Sequence, residues 1–94
     1  MLIVSGWLRI ARGRRDHFLA VSRDAIVAAR TAPGCLGFVV AADPLESDLV
    51  NVYERWDSET ELMAFRADGP SADMAGLIVG GSVRRYEIAS EGPA

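Results

Sequence analysis

The sequence has few of the residues that build most recognisable reaction centres. Its 94 residues include one cysteine and one histidine. A single cysteine excludes an intrachain disulfide, which fits a reducing compartment. The chain also contains no phosphate-binding loop, no spaced set of metal ligands, no nucleophile elbow and no dinucleotide fingerprint. We therefore expect no bound metal, flavin or haem. If the protein is an enzyme, it must act through a shaped pocket and the reactivity of its substrate.

Strong net charge and long apolar runs are also absent. The formal net charge is −3, which is too mild to favour nucleic acid or an anionic membrane as a partner. No apolar run reaches the roughly 18 residues that a membrane span needs. The apolar start at residues 1–4 is interrupted by Arg9 and follows no basic region, so we expect no signal peptide. These features predict a soluble cytoplasmic protein.

Three stretches of the chain have the composition of strands. Residues 2–10 alternate, with Leu2 and Val4 on one face and Trp7 on the other. Residues 36–42 carry no polar side chain, which predicts a strand buried on both faces. Residues 49–56 are rich in β-branched and aromatic side chains. About six polar residues separate the last two stretches, so they predict an antiparallel hairpin.

Helical spacing of apolar residues, together with residues that begin or end helices, predicts two main helices. Apolar residues recur at helical spacing between about Asp16 and Thr31, and Pro33-Gly34 ends that helix. A second helix is predicted over roughly Glu59 to Ala67. Ser58, followed three residues later by Glu61, is a capping box at its start.

The end of the chain predicts a short third helix and a last strand. The predicted helix spans Ser71 to Ile78, and the pair Gly80-Gly81 breaks it. The predicted strand spans Ser82 to Ala89. We expect one domain over residues 1–90 and a disordered tail over residues 91–94.

The resulting order β-α-β-β-α-(α)-β is typical of the α+β class. It is the ferredoxin-like split βαβ pattern, in which helices cover one face of an antiparallel sheet. The first strand and the hairpin are apolar on both faces, and the helices suffice for only one. We therefore predict a homodimer in which a second copy packs on the other sheet face.

Three runs carry a resemblance to a known family. They are Pro33 to Phe38, Val52 to Ser58, and the helix start Glu59 to Leu62. These runs resemble the antibiotic biosynthesis monooxygenase family, whose members are dimeric α+β barrel proteins. The resemblance implies a cleft between helices and sheet in which a polycyclic phenol is oxidised by molecular oxygen, without flavin, haem or metal. Haem degraders, signal-molecule degraders, isomerases and members with no known reaction share the superfamily.

Site residues carry over from this resemblance one position at a time. The family's tryptophan corresponds to Trp56, which we expect to be catalytic. An asparagine four residues earlier corresponds to Val52, and a tyrosine six residues later corresponds to Leu62. A histidine found in other branches corresponds to Phe65. In haem-degrading relatives a first-strand asparagine corresponds to Gly6, so haem chemistry is not expected here.

The expected substrate-binding residues are Trp7, Val52, Tyr53, Leu62 and Phe65. Several of the candidate residues also have a second interpretation. The indole of Trp56 either donates a hydrogen bond in the cleft or closes the core. Trp7 and Tyr53 either line the cleft or pack on the sheet. The single histidine, His17, is a proton acceptor or a surface residue, and Cys35 is a nucleophile or a small hydrophobe.

The arginines leave two interpretations as well. Arg9, Arg55 and Arg85 lie on predicted strands. They either orient an anionic substrate or pair with Glu54 or Glu87 on a neighbouring strand or across a dimer edge. A basic turn at residues 12–15 either binds a phosphate or carboxylate or is solvated.

Three functions remain open from the sequence. The first is a cofactor-independent monooxygenase acting on an aromatic or polyketide-type small molecule. The second is an isomerase or cyclase that uses the same pocket without oxygen. The third is a non-catalytic binding dimer of the same fold. The substrate and the proton acceptor are not predictable from the sequence.

Overall fold

The described part of the chain forms four antiparallel strands and three helices. A computed structural model describes residues 1–67 and 72–94. The elements are β1 (Leu2–Ile10), α1 (Arg15–Thr31), β2 (Cys35–Ala42), β3 (Leu49–Trp56), α2 (Glu59–Arg66), α3 (Ala72–Ala75) and β4 (Ile78–Glu87). The sheet order is β2-β3-β1-β4, with antiparallel pairing throughout. This is the α+β ferredoxin-like fold predicted from the sequence.

Strand alternation determines which sheet face the helices cover. In β3, Val50, Val52, Glu54 and Trp56 are buried, and the residues between them are more exposed. The register aligns Trp56 with Leu2 of β1, so both strands turn their apolar positions toward α1 and α2. The larger core cluster consists of Leu2, Val4, Ala29, Phe38, Trp56 and Leu62. A second cluster contains Ile10, Phe18 and Val50.

The opposite sheet face, here called the open face, is not covered by the described helices. It presents large side chains that are half exposed: Trp7 at 40%, Tyr53 at 40%, Val39 at 41% and Tyr86 at 52%. They come from all four strands and share one face by register. Apolar and aromatic side chains therefore form a surface across the whole sheet. The sequence predicted such a surface, because the first strand and the hairpin are apolar on both faces.

A tight junction joins the end of α1 to the start of α2. Gly34 has a φ of 79°, a conformation that favours glycine, and the Glu61 carboxylate occupies the space where a Cβ would lie. At the start of α2 the Ser58 hydroxyl accepts a hydrogen bond from the Glu61 N–H at 3.3 Å. The predicted N-cap is thus confirmed. The Glu61 carboxylate accepts from the Ser58 hydroxyl, rather than from its backbone N–H.

The predicted end of the chain is wrong in two respects. The third helix is confined to Ala72–Ala75, and β4 begins at Ile78. Gly80 and Gly81 lie inside β4 opposite Arg9 and Leu8. Backbone pairing with β1 holds these glycines extended despite their weak strand preference. The predicted helix start at Ser71 lies outside the described residues.

Two further observations concern the chain as a whole. Within the described ranges, no helix is both long and apolar enough to cross a bilayer. After β4 the Ile88 N–H donates to the Met1 carbonyl at 3.0 Å, and Arg55 pairs with Glu91 at 2.9 Å. The domain boundary after residue 90 stays a prediction.

Candidate functional site

A cleft opens on the helical side of the sheet. It has a volume of about 1120 Å³ and lies between α1, α2, α3 and the edge of β2. Its apolar wall includes Ala25, Ala28, Phe38, Ala64 and Phe65. The alanines of α1 and α2 keep the facing helix surfaces small, which leaves room between them. The predicted cleft between helices and sheet therefore has a counterpart in the fold. A smaller hollow of about 310 Å³ beside β2 includes Arg30 and Cys35.

An aromatic stack forms the floor of the cleft. The Phe65 ring lies 5.9 Å from the Phe38 ring in an edge-on arrangement and 5.3 Å from the Trp56 ring in a tilted one. Phe38 and Phe65 line the cleft, whereas Trp56 lies behind Phe65 and is fully buried. A flat apolar ligand would therefore meet Phe65 first, and Trp56 supports that ring from within the core.

The indole N–H of Trp56 is used inside the protein. It donates to Glu54 Oε1 at 3.0 Å. Glu54 is only 6% exposed, and its two carboxylate oxygens each lie 3.4 Å from Nη2 of Arg66. A buried carboxylate needs such partners because burial removes its hydration. The Trp56 N–H, which was expected to reach a ligand, thus binds the buried Glu54 carboxylate. Glu54 in turn pairs with Arg66 on α2.

The other predicted site residues divide between the two sheet faces. Val52 and Leu62 lie on the helical side, but they are 8% and 0% exposed, and neither lines the cleft. Trp7 and Tyr53 lie on the open face, because the register places both on the side away from the helices. Only Phe65 of the five predicted substrate-binding residues lines the cleft.

The sequence interpretation missed the pair formed by Glu54 and Arg66. The signal for Glu54 was present, because its position two residues before Trp56 places it on the buried face of β3. A charged residue at a buried strand position requires a partner. Arg66 gave no such signal, since its contact depends on how α2 is rotated on the sheet.

Within the described residues of one chain, the strand arginines do not pair with Glu54 or Glu87, which was one of the two interpretations. Pairing with these glutamates across a dimer edge stays a prediction. The observed pairs are Arg9 with Asp48, Arg55 with Glu91 and Arg85 with Glu59. Arg9 and Arg55 point to the open face, whereas Glu54 points to the helical face, so the sheet separates them.

Gly6 and Phe65, which the family resemblance aligns with a first-strand asparagine and a second-helix histidine, have no side-chain donor atom. A side chain at Gly6 would collide with the backbone carbonyl of Ser82, and Phe65 offers a ring without a donor atom. His17 is exposed near the start of α1. Within residues 1–67 and 72–94, no group of three or more histidine, cysteine, aspartate or glutamate side chains is arranged to hold a metal ion.

Solved structures share this fold over nearly the whole chain. A candidate antibiotic biosynthesis monooxygenase from Deinococcus radiodurans is 19% identical with a TM-score of 0.83, and the match covers 100% of this chain and 98% of that chain. One from Chloroflexus aurantiacus is 28% identical with a TM-score of 0.73, covering 97% and 96%. A MhuD mutant with two manganese protoporphyrin IX molecules per active site is 20% identical with a TM-score of 0.71, covering 100% of both chains.

No curated protein matches the chain significantly. The sequence model of the antibiotic biosynthesis monooxygenases, in contrast, matches residues 1–75. That range contains β1, the hairpin, both main helices and the Trp56 cluster. The chain therefore belongs to the antibiotic biosynthesis monooxygenase family.

Proposed function

We propose that the protein is a small cofactor-independent monooxygenase that oxidises an aromatic or polyketide-type molecule in the cleft between the helices and the sheet. The observation that carries this proposal is the cleft itself, which has an apolar wall and an aromatic floor of Phe38 and Phe65. A flat substrate bound there would exchange contact with water for contact with these apolar side chains. Such an environment suits a reaction in which a deprotonated substrate reduces oxygen directly.

Within this proposal the site residues have distinct tasks. Phe65 contacts the substrate, and Trp56 is a positioning residue that acts through Phe65 and Glu54. Leu62 packs in the core cluster that contains Phe38 and Trp56, and Val52 is buried on the same face of the sheet. Trp7 and Tyr53 belong to the open face, where they would contact a second copy of the chain rather than the substrate.

A homodimer through the open face is part of the proposal. Support comes from half-exposed aromatic side chains on three strands of one face, including Trp7, Tyr53 and Tyr86. A face of this kind is unusual for a surface in contact with water and is typical of an interface.

Oxygen uptake with a panel of dihydroxyanthraquinone-like phenols tests the proposed reaction. We expect the protein to consume oxygen in proportion to the quinone formed. Ala28→Trp should abolish uptake because Ala28 lines the cleft, whereas Ala20→Trp should not, because Ala20 is exposed and is not among the cleft residues. Equal uptake by both variants would place the reaction elsewhere. Absence of uptake across the panel would count against the monooxygenase.

A second candidate function is an isomerase or cyclase. It is favoured by the three carboxylates of Asp24, Glu61 and Asp73 along the cleft, which can accept and return a proton. Product formation without oxygen consumption would identify it. Ligand binding without any product would instead identify the non-catalytic dimer.

A further inference from the structure

We propose that Arg66 binds an ionised oxygen of the ligand, and that buried Glu54 positions Arg66 for this task. The inference rests on the proposed function only in taking the cleft as a site for a small molecule. It does not depend on whether oxygen is consumed. It assigns a ligand class, a planar apolar body that bears one phenolate, enolate or carboxylate oxygen.

Buried Glu54 anchors the end of the Arg66 side chain. Glu54 is buried, its Oε1 accepts the Trp56 N–H at 3.0 Å, and Nη2 of Arg66 donates to both carboxylate oxygens at 3.4 Å. The carboxylate thus has a fixed donor from the core and a cation from α2. Because a buried charge is costly without a partner, this arrangement restrains the end of the Arg66 side chain.

The N–H groups of Arg66 that do not contact Glu54 are available to a ligand. A guanidinium carries five N–H groups in a planar fork. Only Nη2 has a protein partner within residues 1–67 and 72–94, at a distance of 3.4 Å from each oxygen. The side chain is 44% exposed and lines the cleft. Donors that are held in place yet unpaired at the wall of an apolar cleft suit an oxygen anion of a ligand.

The acidic side chains along the cleft restrict the class of ligand further. Asp24, Glu61 and Asp73 line it too, and each would repel an anion nearby. Glu61 lies at the start of α2, whereas Arg66 is the last residue of that helix. A ligand with a single anionic group fits beside Arg66, and a second negative charge toward the start of α2 is disfavoured.

Three probes of similar shape test the assignment: 2-naphthoate, the neutral 2-naphthamide and the cationic 2-naphthylmethylammonium. Calorimetric titration at neutral pH should show that the unmodified protein binds the naphthoate at least about tenfold more tightly than the amide. The ammonium should bind more weakly than the naphthoate.

Variants of Arg66 link the preference to this side chain. Arg66→Gln should reduce the ratio of naphthoate to amide affinity to about one or less, while the amide affinity changes by less than about twofold. Arg66→Lys should retain part of the ratio, because the charge remains and the fork is lost. Arg23→Gln removes the same charge from an exposed position of α1 that is not among the cleft residues, and it should keep the ratio.

A double variant keeps the inference testable if Arg66→Gln does not fold. Arg66→Gln alone leaves the Glu54 charge buried, so Glu54→Gln/Arg66→Gln removes both charges together. It should give a folded far-UV spectrum, bind the amide as the unmodified protein does and show no naphthoate preference. These results would support the inference even if Arg66→Gln failed to fold.

Several results would overturn the inference. They are equal affinity for naphthoate and amide, tighter binding of the ammonium, or a preference that survives Arg66→Gln. In those cases the cleft remains a ligand site and the proposed function is unaffected. No binding of any probe would overturn the cleft as a ligand site and this inference with it. A naphthoate preference without oxygen uptake on any phenol would leave the inference standing and count against the monooxygenase alone.

Discussion

At the scale of single residues, Trp56 is a core residue that contacts two residues at or near the cleft, Phe65 and Glu54. Its ring supports Phe65, and its N–H holds the carboxylate that pairs with Arg66. If the cleft binds a ligand as proposed, we expect substitution of Trp56 to affect stability directly and ligand binding indirectly. Its two effects can be separated experimentally.

We expect Trp56→Phe to lower the free energy of unfolding by about 1–3 kcal/mol, because Glu54 loses a buried donor and the core loses volume. Thermal unfolding followed by circular dichroism measures this. In a Glu54→Met background the same substitution should cost less, with a coupling on the order of 1 kcal/mol. Identical costs in both backgrounds would show that the hydrogen bond contributes nothing to stability.

At the scale of elements, the caps and turns show how local contacts fix the helices that frame the cleft. Ser58 caps α2, and Glu61 then reaches both the Ser58 hydroxyl and the space beside Gly34. One glutamate thus joins the start of α2 to the turn that follows α1. Glu61 also lines the cleft, so this junction forms part of its wall.

Ser58→Ala should destabilise the protein by about 1 kcal/mol, because the Glu61 N–H loses its acceptor. For a domain of this size that corresponds to a fall of about 4–8 °C in Tm. Ser47→Ala, at an exposed loop position, is the matched control and should leave Tm unchanged. A similar Tm for both variants would argue against the cap as a stabilising contact.

The loop between β2 and β3 should make stability depend on pH. A hydrogen bond from the Asn51 side chain, together with backbone N–H groups of Glu46 and Leu45, lowers the pKa of Asp43 below its usual 3.8. A hydrogen bond from Arg9 likewise lowers the pKa of Asp48. Below about pH 4 the unfolded chain therefore binds more protons than the folded one, and stability falls as the pH falls further.

Melting temperatures recorded between pH 7 and pH 3 test this dependence. Asp43→Asn should flatten the low-pH part of the curve, since one carboxylate with a lowered pKa is gone. Asp24→Asn removes a carboxylate that accepts no hydrogen bond from the described residues, and it should leave the shape of the curve intact. Parallel curves for the unmodified protein and Asp43→Asn would contradict the assignment.

The success of sequence-based prediction also differs between elements. The faces of β1 and β3 were predictable because alternation of residues such as Val4 and Trp56 depends only on neighbours in the chain. The start of β4 was not, because its glycines become a strand only by pairing with β1. The contact between Glu54 and Arg66 was also beyond prediction, since it depends on the rotation of α2 against the sheet.

At the scale of the whole molecule, the open face gives the clearest test of assembly. Tyr53→Glu places a charge among Trp7, Val39 and other half-exposed apolar side chains. We expect light scattering at micromolar concentration to change from twice the chain mass to the chain mass, because an unpaired charge in an interface is unfavourable.

Val27→Glu supplies the matched control for that experiment. Val27 is 58% exposed on α1, so the same charge enters an exposed apolar site away from the open face. This variant should keep the dimer mass. A monomeric unmodified protein with a folded far-UV spectrum would contradict the proposed dimer directly.

The strand order has a consequence for how the chain folds. Because β1 lies between β3 and β4, Leu2 must meet Glu87, a residue from the far end of the described sheet. The hairpin of β2 and β3 closes only a short loop, so it can form early, whereas the pairing of β1 with β4 must wait for a long loop to close. During synthesis β1 therefore leaves the ribosome well before its β4 partner exists. We expect amide hydrogens of β4 to gain protection last in refolding.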